Sequence, residues 1–534
     1  LKQSVHKVLL PVITAFSLAV SGLTSIHVTE NKAEAAQHKL KEIDHRPLPL
    51  GYSYLNETRH TSTLAKGVTY TKIVRGEPSQ NDFFTVDVDF VETEDEANSL
   101  SIQLSNVGYH PFVDRISKRA ADDKEKGELG FLVRVGKFMT EQEAKDLQQK
   151  LTSQGYTGLR VVFSGEDGQM TSGPWVVNVL EVNPKNYKGS MVPELGSDVI
   201  PGKEKLTSIA SRNHAIAGIN GGYFVVGDND GTPGDLAGIS VIGGRLLSEA
   251  VNGRSSFIFS SDGSKADIAS VSSNHQAVSF DGSIREVDGF NRKPGLIRGC
   301  GGTGGDSPTE EPKHDYTCRD SSELIAFTPE FGNKTESGEG VEAVLNKSGK
   351  VTQVRTVRGG TIPVDGMVLA GTNEAAQWIL DHARLGKKLA VSSKLTADGK
   401  PLLLKKTSNL INGGPRLVKD GKISVNAVEE GFHWEENPEF YYRFGERRNP
   451  RTLMGIKENG NLIFVTVNGR APGFSVGANF EESAAIMKSL GAANAMNLDG
   501  GGSTGMTTGR ELVTRPSDLT GERELADAIL LLPR

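Results

Sequence analysis

The run Phe84-Thr85-Val86-Asp87-Val88 returns as Phe131-Leu132-Val133-Arg134-Val135, and the echo continues downstream. Ala97, Leu100, Leu104, Gly108 and Tyr109 are matched by Ala144, Leu147, Leu151, Gly155 and Tyr156, all at one offset of about 47 residues. Such a duplication leaves few folds open. Each copy reads as an alternating strand followed by apolar positions at helical spacing, with a glycine where the helix must stop. A second strand follows each helix. Two strand-helix-strand units pack as a four-stranded sheet with both helices on one face, a ferredoxin-like arrangement.

The repeat resembles the SPOR domain over residues 80–165. The resemblance is carried by Phe131-Leu132-Val133-Arg134-Val135-Gly136-Lys137-Phe138, by the helix Glu143-Ala144-Lys145-Asp146-Leu147, and by Gly155-Tyr156. It implies a wall-targeting module whose partner is peptidoglycan glycan stripped of its peptides.

The 534 residues exceed one ordinary domain. Residues 1–36 read as a secretory signal: Lys2 and Lys7 give a positive start, Val8 to Leu23 is apolar, and Ala33-Glu34-Ala35 offers small residues for cleavage. A secreted or wall-associated protein is expected, without a transmembrane span after cleavage. Residues 37–79 read as a charged tether through residue 66, then a strand, Val68 to Val74, that is a possible first strand of the larger domain. In an exterior compartment, Cys300 and Cys318 are expected to pair as a disulfide. The net charge of -6 argues against a general nucleic-acid binder, so an anionic ligand must be met locally.

From residue 170 to 534 the pattern is a strand-rich α+β domain. Trp175 to Val182 and Leu462 to Val467 are apolar strands. Helices are expected over Asn373 to Leu385 and Phe480 to Leu490. The order strand, helix, strand from Leu462 to Leu498 makes the two strands parallel. Their C-terminal ends then bring Asn468-Gly469-Arg470 beside Asp499-Gly500-Gly501-Gly502-Ser503-Thr504. A turn with three glycines lets backbone N–H groups approach an anion, and Ser503 and Thr504 add hydroxyls. Asn220-Gly221-Gly222-Tyr223 and Asn412-Gly413-Gly414-Pro415-Arg416 are two further polar glycine turns. With Arg416, Arg451 and Arg470 they suggest a polar pocket, although Asn-Gly also marks simple hairpins.

In chain order, these motifs resemble the phosphodiester glycosidase family. They are Asn220 to Phe224, Ser322 to Pro329, Ile362 to Leu369, Asn412 to Pro415, Asn449 to Ile456, Asn468 to Arg470, and Asn497 to Thr504. The last three are the most specific. The resemblance implies hydrolysis between a sugar anomeric carbon and a phosphodiester oxygen in wall or extracellular glycopolymers, with α-GlcNAc-1-phosphodiesters among the candidates. It gives Arg451 and Arg470 to the phosphate, Asp499 to acid-base or electrostatic work, and Glu323 to a second carboxylate role. Asn220, Gly221, Gly222, Tyr223, Asn412, Gly413, Gly414, Arg416, Asn468, Gly500, Gly501, Gly502, Ser503 and Thr504 are assigned to substrate binding.

Two departures stand out. Asn468 replaces an aspartate common in the family, which favours the competing reading of a wall or exopolysaccharide binder without catalysis. Residues 299–320 look inserted, as a lid closed by the two cysteines. No motif demands a cofactor or a catalytic metal. Asp228-Asn229-Asp230-Gly231 resembles the start of a calcium loop but lacks the rest, leaving structural calcium as the one cation to consider. The aromatic run Phe432, His433, Trp434, Tyr441 and Tyr442 fits either a small core or a sugar-stacking surface.

Overall fold

The structure is a computed structural model that describes residues 46–228, 231–251, 253–295, 297–298, 307–309, 317–434 and 436–534. The expected signal segment, the Cys300–Cys318 pair, the calcium-like loop and most of the inserted stretch lie outside the described residues. Among the described residues, no helix is long and apolar enough to cross a membrane.

The expected tether is partly wrong. Glu57–Ala65 (β1) pairs antiparallel with Val68–Arg75 (β2) through a tight turn at Gly67, whose φ of 84° suits glycine. β1 is an edge strand with polar residues on both faces, so it lacks the apolar alternation that marks a strand. Ahead of it, Leu48, Leu50 and Leu55 are buried, and the Arg75 guanidinium donates to the carbonyls of Leu50, Tyr52 and Leu55.

The repeat folds as Phe84–Val91 (β3), Glu94–Asn106 (α1), Pro111–Ile116 (β4), Gly130–Phe138 (β5), Glu141–Ser153 (α2) and Arg160–Phe163 (β6). The duplication extends to the caps: Thr93 with Glu96, and Thr140 with Glu143, each close a capping box. Gly108 and Gly155 follow the helices at φ 91° and 93°. The antiparallel order β4-β5-β3-β6 is the ferredoxin-like one. β2 pairs along its length with Trp175–Val182 (β7), so this unit is inserted between two neighbouring strands of the larger domain.

Successive strand residues point to opposite faces. Val86, Val88, Phe131, Val133 and Val135 pack under α1 and α2. Ile116 and Leu132 instead join the core of the larger domain, with Phe90 and Phe163 packed against it. On the same face, Arg134 Nε bonds Asp87 at 2.7 Å, its Nη1 bonds Asp114 at 2.6 Å, and its Nη2 donates to the Tyr442 hydroxyl at 3.2 Å. Arg443 bonds the other Asp87 oxygen at 2.6 Å. Burial works against the Asp87 charge, yet Arg134 and Arg443 outweigh it and hold its carboxyl below the ordinary range. The helix-free face of the SPOR-like sheet is therefore closed against its neighbour.

The central sheet of the larger domain runs β1, β2, β7, Leu462–Val467, Arg451–Lys457, Ala492–Asn497, Arg416–Lys419 and Lys422–Ile423. One face packs on helix Phe480–Ser489, the other on strands Ala217–Asn220, Ser255–Ser260 and Asp527–Leu532. Leu462–Val467 is buried at each residue because both faces are covered. The second expected helix forms over Asn373–His382.

Candidate active site

Strand Arg451–Lys457 pairs antiparallel with both Leu462–Val467 and Ala492–Asn497. Those two are thus parallel, as the crossover predicts, with one strand interposed. Arg451 begins the middle strand, and the turns at Asn468 and Asp499 end its neighbours at the same edge. The cleft there encloses about 320 Å³ and is lined by Tyr223, Arg451, Arg470, Asp499, Gly500, Gly501 and Gly502, among others.

Arg451 is 2% exposed. Its Nε donates to the Ala478 carbonyl at 2.9 Å, Nη2 donates to the Phe444 carbonyl, and the guanidinium lies 4.5 Å from the Phe480 ring centre. Desolvation pushes its pKa down to about 10, which still leaves it charged at neutral pH. Arg470 is solvent-accessible on the cleft wall and adopts φ 52°. Its Nη2 donates to Asn449 Oδ1 at 2.9 Å. A Cβ built on Gly501 would lie 3.3 Å from two of its nitrogens, so the bare glycine backbone lets the cation reach the turn. Among the described residues, neither arginine has a carboxylate ion-pair partner.

Asp499 is half-buried on the cleft wall. Its Oδ1 accepts from the Gly500 N–H at 2.8 Å, and its carbonyl accepts from Asn220 Nδ2 at 2.9 Å. Behind it, Asp527 is buried: Oδ1 accepts from the Gly222 N–H at 3.0 Å, and Oδ2 has no partner. Burial pushes the Asp527 carboxyl up to about 7, the Gly222 bond opposes this, and the Asp499 charge adds to it. A Cβ on Gly221 would lie 2.2 Å from Asp527 Oδ1, so this position must be glycine.

Several expected ligand contacts are supports instead. Asn412 Oδ1 accepts from the Tyr223 N–H at 2.8 Å and staples the two Asn-Gly-Gly turns together. A Cβ on Gly413 would meet Met496 at 2.5 Å, and the Gly414 carbonyl accepts from the Tyr223 hydroxyl at 2.8 Å. Gly501 donates to the Pro450 carbonyl and Gly500 to its neighbour's side chain, so this turn spends those N–H groups internally rather than on an anion. Ser503 and Thr504 are buried away from the cleft, with Ser503 Oγ 3.5 Å from Arg523 Nη1.

Three expectations need correction. Glu323 lies outside the cleft at 0% exposure, with its oxygens at 2.5 and 2.9 Å from the Arg292 guanidinium, a structural ion pair. Arg416 is directed to the Ile268 carbonyl at 2.6 Å and does not line the cleft. Asn468 faces inward: its Nδ2 donates to the Val176 carbonyl at 3.1 Å and its Oδ1 accepts from the Arg515 N–H at 2.7 Å. An aspartate there would set a carboxylate oxygen against a carbonyl, so the amide suits this position.

The sequence reading missed Arg160, Arg443 and Arg523, which bring the cleft to five arginines against Asp499 and Glu439. Arg443 bonds Glu439 and Asp87, and Arg523 bonds Asp518 at 2.8 Å. A Cβ on Gly502 would lie 2.1 Å from Arg523 Nη2, so this glycine lets the Arg523 guanidinium pack against the turn. Arg160 comes from β6 of the inserted unit, so no local motif announces it. Phe432, Tyr441 and Tyr442 are core residues, and Trp434 alone of that run lines a neighbouring cavity.

Fold and site define an α+β protein with a cleft lined by five arginines and two carboxylates, Asp499 standing at its rim. The phosphodiester glycosidase family model matches residues 339–532 and the SPOR domain model residues 80–161. A crystal structure of a Burkholderia pseudomallei K96243 protein described as exported is 31% identical, superposes with a TM-score of 0.83, and matches across 91% of this chain and 98% of that one. A hypothetical protein from Synechocystis shares the fold at 19% identity and a TM-score of 0.53, over 91% of this chain and 83% of that one. Bovine N-acetylglucosamine-1-phosphodiester alpha-N-acetylglucosaminidase is 32% identical over 111 residues, a fifth of each chain. Residues 339–532 thus carry the phosphodiester glycosidase signature, and residues 80–161 are a SPOR domain.

Proposed function

We propose that this protein is a glycosidase that hydrolyses a sugar-1-phosphodiester, releasing free sugar and leaving a phosphomonoester on the other partner. The observation that carries the reading is the pair Arg451 and Arg470, two cations with no carboxylate ion-pair partner among the described residues, lining one small cleft together with Asp499. A bound diester monoanion supplies the missing charge, and the planar guanidinium forks suit its oxygens.

Cleavage of the bond from the anomeric carbon to oxygen turns the diester monoanion into a monoester dianion. The negative charge grows beside the two arginines as the bond breaks, so they stabilise the departing group more than the bound substrate. A phosphate leaves without prior protonation, which explains how one carboxylate suffices where ordinary glycosidases use two. Asp499 then directs water to the anomeric carbon and balances the positive charge developing there. Asn468 is a structural amide, so the absent carboxylate at that position gives no support to a binding-only protein.

The SPOR domain and the exported relative support an extracytoplasmic setting with peptidoglycan glycan as the partner that holds the enzyme at the wall. The test is a panel of sugar-1-phosphodiesters, α-GlcNAc forms included, assayed for free reducing sugar with the wild type and Asp499→Asn. Turnover by the wild type and its loss in the variant are expected. Equal turnover by both removes Asp499 from the chemistry, and tight binding without turnover of any member makes the protein a lectin.

A further inference from the structure

Three cavities meet along the seam between the SPOR domain and the glycosidase domain. The catalytic cleft shares Arg160 and Arg443 with a cavity of about 870 Å³ on one side and with another of about 640 Å³ on the other. It also shares Asn437 and Glu439 with the first, and Asn449 and Arg470 with the second. These shared residues set the three cavities side by side, as successive reaches of one seam. The SPOR domain contributes to every reach: Asp89 and Leu159 to the first, Arg160 to the middle, Phe84 and Glu141 to the last.

The two outer reaches differ in chemistry. One has Trp434 and Phe90 with Asp87, Asp89, Glu436 and Glu439 against Arg160 and Arg443, an aromatic lining with carboxylates in excess that accommodates neutral sugar rings. The other gathers Arg443, Arg447 and Arg470 against Glu141 and Glu166, and opens past Leu519, which is fully exposed. That lining suits a chain that continues to carry negative charge. A small sugar-phosphate conjugate needs only the central cleft of about 320 Å³, and leaves both flanks unexplained.

We infer that the seam is a binding groove for an extended glycan bearing phosphodiester linkages, threaded with its sugar side along Trp434 and its phosphorylated side along Leu519, so that the SPOR domain is one wall of the active site. The inference rests on the proposed glycosidase reading of the cleft. It also gives the SPOR domain a ligand-facing surface, since the helix-free face of its sheet is consumed by the domain contact.

The test uses the full chain carrying Asp499→Asn and fluorescence anisotropy with labelled oligomers of N-acetylglucosamine-1-phosphate joined through phosphodiesters, in a series from one repeat upward. Affinity is expected to rise about tenfold or more with length and then level off once the groove is filled. Leu519→Glu, which sets a carboxylate in the path of the phosphorylated side, should shrink the ratio of long to short affinities several-fold. So should Trp434→Ala on the sugar side. A single repeat that binds as tightly as the long oligomers overturns the groove and leaves the cleft reading intact. A length gain that survives both substitutions overturns the path. Absence of binding at every length overturns the cleft reading with it.

Discussion

Arg470→Met separates catalytic from structural use of the cleft arginines. The substitution keeps an apolar stem and removes the charge. Arg470 is solvent-accessible, makes one hydrogen bond, to Asn449 Oδ1, and has no ion pair among the described residues. The left-handed backbone at φ 52° costs methionine what it costs arginine. Folding should therefore lose about 1 kcal/mol, the worth of one such bond, or a melting shift of about 2 °C. Transition-state stabilisation should lose about 3 kcal/mol, the low end for one donor to a growing anion because water reaches this side of the cleft, so kcat should fall about a hundredfold. KM should change much less, because the leaving phosphate gains its second charge only as the bond breaks. The assay pairs steady-state release of free sugar with thermal unfolding. A kcat within about threefold of wild type, or a melting point lower by more than about 5 °C, refutes the reasoning.

Other consequences follow from the same geometry. Arg134→Met removes the cation shared by Asp87, Asp114 and Asp167 at the domain seam and leaves Asp87 to Arg443 and Asp167 to Arg447, so about 1.5–3 kcal/mol of stability should be lost and limited proteolysis should release the SPOR domain more readily. Asn468→Asp should destabilise the protein by about 1–3 kcal/mol through the carboxylate it sets against the Val176 carbonyl, with no gain in kcat. Asp527, pushed up to about 7, keeps its proton in the folded state between about pH 4 and 7, where the unfolded chain has lost it. Its contribution to stability thus falls as pH rises through that window. The melting point of Asp527→Asn relative to wild type should climb from pH 4 to 7 and stay level above about 8; a flat difference across the range contradicts the buried-acid assignment.

What the sequence made legible follows from burial. Trp175–Val182 and Leu462–Val467 are covered on both faces, so their apolar runs read as strands with correct ends, and the duplicated helices announce themselves through Gly108 and Gly155. Edge strand Glu57–Ala65 has no apolar face to read. The meeting of Arg470 with Asp499 was legible because one crossover fixes two strand ends, whereas Arg451, on the strand interposed between them, came with the family resemblance. Which way a polar residue at such an end points was not: Asn468 turns inward while Arg470, two residues on, turns to the cleft. Glu323 is answered by Arg292, and Arg160 reaches the cleft from an inserted domain; both depend on long-range packing that leaves no local pattern.

The most direct test of the central claim is the position of bond cleavage. Hydrolysis of an α-GlcNAc-1-phosphodiester in ¹⁸O-labelled water, read by mass spectrometry of both products, should place the label in the released sugar and none in the phosphomonoester. Label in the phosphomonoester would mean attack at phosphorus, and would make the protein a phosphodiesterase rather than a glycosidase.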